Sequence, residues 1–173
     1  PYYSQKLEQI RQERGVEGMF NHELVAVDPQ KKVATFINKD TKKTVKESFD
    51  MLHVAPHMSA PDFLKNSPIV DSEGWVDVDK HTMQSTKFKN VFGLGDCTNT
   101  PNSKTAAAIT SQAPVVVHNL FRVMDGKPLD GLYSGYASCP LIVAYGRTIL
   151  AEFGYGGKLM ETFSRETGKF PLN

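Results

Sequence analysis

Apolar or large residues at Tyr3, Leu7 and Ile10 follow a spacing of four and three, which is one helical face, and predict a short helix from Tyr2 to Arg14 that Gly15 stops. Three strands are predicted next: Met19 to Asp28, Lys32 to Asn38 and Thr44 to Phe49. The turns Asp28-Pro29-Gln30-Lys31 and Lys39-Asp40-Thr41-Lys42-Lys43 separate them. Val33, Thr35 and Ile37 share one face of the middle strand and Ala34 and Phe36 the other, as in a partly covered antiparallel meander. Met51-Leu52-His53-Val54-Ala55 lacks alternation and is expected to be a strand buried on both faces of a parallel sheet, ended by the Pro-rich run from Pro56 to Pro61. Asp62 to Asn66 is expected to hold one helical turn.

Trp75-Val76-Asp77-Val78-Asp79 alternates strictly, with both valines on one side and both carboxylates on the other. Asn90 to Asp96 is the next predicted strand, with Gly93 and Gly95 at its end. Thr105 to Met124 is the longest helical candidate. Pro114 is expected to kink or divide it after Gln112, and Val116, Leu120, Val123 and Met124 form its apolar stripe. Leu141 to Tyr145 and Thr148 to Phe153 flank Gly146-Arg147 as a hairpin, and the residues from Gly154 onward are expected to be loosely held.

A chain of 173 residues and 19.2 kDa has room for one ordinary domain core, burying roughly 70% of the surface that the unfolded form exposes. Hydrophobic residues at 40% and charged residues at 23% place it with globular chains. Twenty Lys and Arg against nineteen Asp and Glu leave a formal charge of +1, far from the basic excess that nucleic-acid binding demands. No apolar run reaches the roughly 18 residues that span a bilayer, no leader opens the chain, and the absence of an initiator Met makes Pro1 read as a cut inside a longer protein. Two cysteines, Cys97 and Cys139, are too few for a disulfide-stapled scaffold.

The sharpest chemical signal is Val91-Phe92-Gly93-Leu94-Gly95-Asp96-Cys97, a hydrophobic strand that runs into Gly-x-Gly-Asp and leads through a short polar loop to a small-residue helix. Glycines let a ligand approach the backbone, Asp96 can accept hydrogen bonds from sugar-type hydroxyls, and helix-start N–H groups near Lys104 to Ala107 can hold partial negative charge. The same residues also fit a simple strand-loop junction with a capping Asp. Among the five histidines, His53 and His57 straddle a strand end and Pro56, and the others are isolated, so no metal site is expected. Lys31, Lys32, Lys39, Lys42, Lys43 and Lys46 read as a solvated face, and Asp77 and Asp79 as an exposed strand face rather than an acid/base pair.

Asn90 to Cys97, preceded by Gly74 to Asp79, resembles the second flavin motif of the two-dinucleotide-domain flavoprotein reductases. Lys104-Thr105-Ala106-Ala107-Ala108, Tyr136-Ala137-Ser138-Cys139-Pro140-Leu141 and Ile149 to Phe153 are similar to the sulfide:quinone oxidoreductase family, its mitochondrial-like branch in particular. The resemblance implies an α/β fold, a partial FAD/NAD(P)-binding type with a mixed sheet and an antiparallel meander. Residues 1–90 would be the C-terminal part of the second dinucleotide-type domain, 91–126 the return to the FAD-binding domain, and 127–173 the start of the C-terminal region.

The family's Gly-rich ADP-binding fingerprint and its second redox cysteine are not among these residues, so the chain alone is expected to be inactive. In the intact protein the resemblance implies FAD bound by Gly95, Asp96, Lys104, Thr105 and Ala106, and Cys139 as the sulfur-carrying redox cysteine in an accessible loop. Cys97 would be structural. Sulfide and quinone are the implied substrates, and peripheral attachment to a bacterial or mitochondrial inner membrane is implied for the whole protein, with its oligomeric state open. The alternatives are an NADH:quinone reductase, which needs no redox cysteine, and a non-catalytic binding domain on the same scaffold.

Overall fold

The structure is a computed structural model in which residues 2–162 are described, so the expectation for the tail beyond Gly154 falls partly outside them. The chain forms two compact units, Pro1–Met58 and Ser59–Asn173.

In the first unit helix α1 spans Tyr2–Glu13 and buries Tyr3, and the chain leaves it through Arg14 and Gly15, whose amides reach back to Ile10 and Gln12. Strands β1 (His22–Asp28), β2 (Val33–Asn38) and β3 (Thr44–Ser48) make the expected antiparallel meander in the order β1-β2-β3. The turns are set locally. Asp28 Oδ1 accepts the amides of Gln30 and Lys31, and Asn38 Oδ1 accepts those of Asp40 and Thr41. Strand β1 starts at His22 instead of Met19 because Asn21 takes a left-handed conformation, φ 58°, that ends extended backbone there.

Met51 to Ala55 corrects the expectation of a buried parallel strand: these residues pair with no strand among the described residues, and Met51 is 88% exposed. An apolar run supplies side chains for a sheet interior but not the partner backbones on either edge.

The second unit is built around Val76, Val78, Met83 and Tyr133, with Leu94, Cys97, Val115, Val116 and Tyr155 packed against them. The Trp75–Asp79 alternation holds as burial, both valines being inside. The segment is nonetheless not a ladder strand: it pairs through single bridges, Val76 with Val70 and in parallel with Thr98, and Val78 with Ser85. The predicted strand at Asn90 to Asp96 is likewise reduced to one bridge, between Phe92 and Gln84. Closely spaced turns explain this, since Asp71 Oδ1 caps the amides of Glu73 and Trp75 and Asp79 Oδ1 those of His81 and Thr82, which leaves two or three extended residues between reversals.

Asp77 and Asp79 are thus turn and loop anchors. Thr86 Oγ1 donates to Asp77 at 2.6 Å and Asn99 Nδ2 at 2.8 Å. The Thr86 hydroxyl first, and then the Asn99 amide and the Lys87 charge, hold the Asp77 carboxyl below its usual range. The backbone amide of Thr82 is the main cause of the same shift at Asp79. A carboxyl whose folded pKa is depressed contributes stability that is present above its unfolded pKa and is lost as pH falls through the folded value. Thermal midpoints are therefore expected to drop below about pH 4, and Asp77→Asn to flatten that part of the profile. An unchanged profile in the variant would show that Asp77 is not the group responsible.

Helix α2 covers Ala106–Met124, with Thr105 as N-cap: its hydroxyl accepts the Ala108 amide at 3.2 Å. Of the expected kink or division, the division does not occur: the helix runs on without a break through Pro114. A proline removes a single i→i−4 donor, and Pro114 lies on the exposed side, while the opposite side is fixed by packing. The buried face is not the expected stripe, for Leu120 and Met124 are exposed and the fully buried positions are Ala108, Gln112 and Asn119. Strands β4 (Ala137–Ala144) and β5 (Arg147–Phe153) form the predicted hairpin, joined through Tyr145-Gly146.

Candidate functional site

Phe92 to Thr98 makes a tight turn whose two glycines serve different purposes. A Cβ on Gly93 would lie 3.0 Å from Val76 and 3.1 Å from both Val78 and Thr98, so the backbone can seat on the core only without a side chain. Gly95 adopts φ 78°, which a glycine takes without strain, and its amide donates to Gln112 Oε1 of α2 at 2.7 Å. Thr98 closes the turn from below, its hydroxyl donating to the Gly95 carbonyl at 2.8 Å.

Asp96 follows at the rim. It is exposed and hydrogen bonded to nothing among the described residues, so its carboxylate is available to a ligand hydroxyl. Cys97, by contrast, is half-buried against the core and its Sγ donates to the Leu94 carbonyl at 3.4 Å.

The start of α2 flanks this turn, with Ile109 3.3 Å from where a Gly95 Cβ would stand. Thr105 spends its hydroxyl on the Ala108 amide, which leaves the first-turn amides of Ala106 and Ala107 outside the capping bond at the positive end of the helix. The Lys104 ammonium donates to the Thr98 carbonyl and lies 4.6 Å from the centroid of the Trp75 ring. Burial pulls its pKa below the usual lysine range, opposed by the nearby charge of Asp96. The Lys104 side chain thus ties the loop before α2 to the Trp75 segment. It lines a polar cleft of about 470 Å³ with Asp71, Glu73, Trp75 and Asn99.

Cys139 stands in β4 opposite Ala151, half-buried and unbonded to Cys97. This corrects its expected loop position. Pro140, which reads as a loop residue, is tolerated because the two-stranded ribbon leaves one side of each strand without a ladder partner. A neighbouring cleft of about 550 Å³ is lined by Pro101, Asn102, Ser103, Ala137, Phe153 and the glycines at 135, 154 and 157. Asn102 carries the one buried side-chain polar atom without a partner among the described residues, its Oδ1.

The structure also places buried polar side chains whose partners no local pattern indicates: Gln112 accepts the Gly95 amide, Tyr133 donates to the Tyr136 carbonyl, and the Tyr136 hydroxyl donates to Glu152. Polarity alone does not single out Gln112 and Asn119, since Thr110, Ser111, His118 and Arg122 also interrupt the apolar positions of the helix. No group of three or more His, Cys, Asp or Glu among the described residues can hold a metal ion. No described helix is long and apolar enough to cross a membrane.

An exposed carboxylate beside a left-handed glycine and a helix N-terminus is an arrangement that can bind a hydroxylated anionic group. Comparison with known proteins bears on that combination. The chain is 46% identical over 168 residues to the mitochondrial sulfide:quinone oxidoreductase of Mus musculus, covering 96% of this chain and 37% of the relative. It is 47% identical to the protein of that name from Dictyostelium discoideum, covering 98% and 38%, and 47% identical to that from Schizosaccharomyces pombe, covering 88% and 33%. It therefore spans little more than a third of the length of these curated relatives. A chain in the cryo-EM structure of the Tetrahymena thermophila mitochondrial ATP synthase F1Fo composite tetramer superposes with a TM-score of 0.77 at 29% identity, over 90% of this chain and 37% of that one. Residues 1–113 match the family profile described as pyridine nucleotide-disulphide oxidoreductase, and the chain belongs to that family.

Proposed function

We propose that these residues are the C-terminal portion of a flavin-dependent sulfide:quinone oxidoreductase. The observation that carries this is the 46% identity over 168 residues to a protein of that name. Residues 1–90 would belong to the second dinucleotide-type domain, 91–126 to the FAD-binding domain and 127–173 to the C-terminal region. The intact protein would act at the mitochondrial inner membrane as a peripheral enzyme, in keeping with the mitochondrial relatives.

The donor and acceptor set fits FAD. Asp96 would accept from a ribityl hydroxyl, Gly95 would let the chain of that group pass close to the backbone, and the start of α2 at Lys104, Thr105 and Ala106 would face the anionic edge of the ring. The orphaned Asn102 Oδ1 leaves one buried acceptor for a ligand donor. Bound there, FAD would accept two electrons from sulfur and deliver them to quinone.

Cys139 would form one half of a sulfur bridge with a cysteine outside these residues. Sulfide attacks the bridge, one S–S bond forms as another breaks, and a persulfide and a thiolate result. Transfer of the outer sulfur to a nucleophilic acceptor and re-closure of the bridge return the protein to its starting state. Over the cycle sulfide loses two electrons, and quinone gains two electrons and two protons.

Flavin absorbance in the full-length protein is expected to bleach with sulfide, return with quinone and stay unchanged with NADH. Bleaching by NADH alone would favour an NADH:quinone reductase instead. Asp96→Ala removes a charge-assisted acceptor worth about 1.5–3 kcal/mol and is expected to lower flavin affinity roughly ten- to a hundred-fold, measured as flavin retained after dialysis. Full retention would reduce Asp96 to a rim residue without contact to the cofactor.

A further inference from the structure

One carboxyl oxygen of the second unit is shared by hydroxyls from two different passes of the chain. Glu152 lies in β5, and its Oε1 accepts the Tyr136 hydroxyl at 2.7 Å and also the Thr162 hydroxyl. Tyr136 immediately precedes β4. Thr162 ends a segment that returns along the far edge of β5. There the Gly154 amide donates to the Lys158 carbonyl at 2.7 Å, Phe153 bridges Leu159 in the antiparallel sense, and the Met160 amide donates to the Glu152 carbonyl at 3.1 Å. Glu152 is therefore the middle residue of three passes, and its side chain clips the two outer ones.

The clip acts beside the thiol. Ser138 and Glu152 stand directly opposite each other in the hairpin, as do Cys139 and Ala151, so Ser138 and Glu152 face one way and Cys139 and Ala151 the other. Glu152 is 1% exposed, and a carboxyl group so deeply buried is costly unless donors reach it. A one-residue slip of β5 would turn Glu152 away from both hydroxyls and carry Ala151 onto its face, so the clip selects one register. The tip of the hairpin fixes less. Pairing shifts between Ile142 and Ala144, and Ile142 and Tyr145 lie exposed.

We propose that Glu152 is a positioning residue for Cys139: held by Tyr136 and Thr162, it sets the β4–β5 register and thereby where the ribbon presents the thiol. The proposal rests on the function above for the part that Cys139 plays, while the clip itself is independent of it.

Full-length flavoprotein tests it, with thiol reactivity read after reduction. Glu152→Leu removes the acceptor. It is expected to retain its flavin, to raise the rate at which iodoacetamide alkylates Cys139 about tenfold, and to lower kcat for sulfide-dependent quinone reduction about tenfold with KM for quinone unchanged. Glu152→Gln keeps an oxygen with two lone pairs and is expected to stay within about threefold of the parent in both readouts. Leu and Gln fill much the same volume, so a role in packing alone would not separate them. Tyr136→Phe and Thr162→Val each remove one hydroxyl, are expected to change both readouts about threefold, and serve if Glu152→Leu fails to fold. Glu152→Leu within about twofold of the parent, Glu152→Gln as impaired as Glu152→Leu, or Tyr136→Phe and Thr162→Val both at parental rates would each overturn the clip. A parent that retains flavin yet reduces no quinone with sulfide would overturn the proposed function instead, and the alkylation rates would still decide the clip.

Discussion

Cys139→Ser in the full-length protein is expected to abolish sulfide-dependent quinone reduction while leaving the flavin bound, and Cys97→Ser to keep most of the activity. A serine oxygen cannot carry a second sulfur or enter a sulfur bridge, so the first substitution removes the electrophile that sulfide attacks. It changes one atom of a half-buried side chain on β4 opposite Ala151, with little effect on the hairpin. At Cys97 the hydroxyl can replace the thiol as donor to the Leu94 carbonyl, now held at 3.4 Å, so the Gly95 turn keeps its closure. Mass spectrometry after sulfide exposure is expected to find additions of about 32 Da on the peptide that contains Cys139. An inactive Cys97→Ser together with a fully active Cys139→Ser would overturn both the assignment and the proposed function.

Gly135→Ala is expected to be the most destabilising single-methyl change in the second unit. The added Cβ would stand 2.4 Å from the Tyr155 ring on a backbone at φ 86°. Tyr155 cannot yield cheaply: its hydroxyl donates to the Lys80 carbonyl, and its ring packs edge-on against His81 at 5.6 Å and Tyr133 at 5.7 Å. Left-handed backbone costs an alanine about 1 kcal/mol, and loss of the aromatic contacts adds about 0.5–1.5 kcal/mol per pair, for roughly 2–4 kcal/mol in all. Urea denaturation followed by tyrosine fluorescence measures it. A loss below about 0.5 kcal/mol would mean that Tyr155 moves aside freely.

Much of the first unit was legible because its determinants are local. The helix α1 forms where the spacing of Tyr3, Leu7 and Ile10 predicts it, with Tyr3 buried and Leu7 left exposed, and Asp28 and Asn38 fold the meander by capping amides two and three residues ahead of them. The same holds for the ends of α2, where Thr105 caps the start, and for the β4–β5 hairpin. The Gly-x-Gly-Asp segment was legible as a place where backbone must come close, and both glycines have that function, at Val76 and at Gln112.

Other features could not be read this way. The valines of Trp75–Asp79 and the run Met51–Ala55 have equally good apolar patterns, yet the first is core and the second exposed. Whether an extended segment finds partners depends on backbones far along the chain. On α2 hydrophobicity pointed to Leu120 and Met124, whereas the buried places went to Gln112 and Asn119. Asn119 binds Thr82 and Gly131, and Gln112 accepts the Gly95 amide.

The sequence by itself therefore determined the helices and the hairpins and pointed to Asp96 as a candidate, since periodicity, capping and motif are properties of neighbouring positions, while Cys139 became a candidate through the family resemblance. Only the tertiary structure decided which polar side chains lie inside and which distant segments they bind. A buried amide is affordable only where donors and acceptors from distant segments converge on it, and a partner seventeen or more positions away leaves no mark in the local pattern.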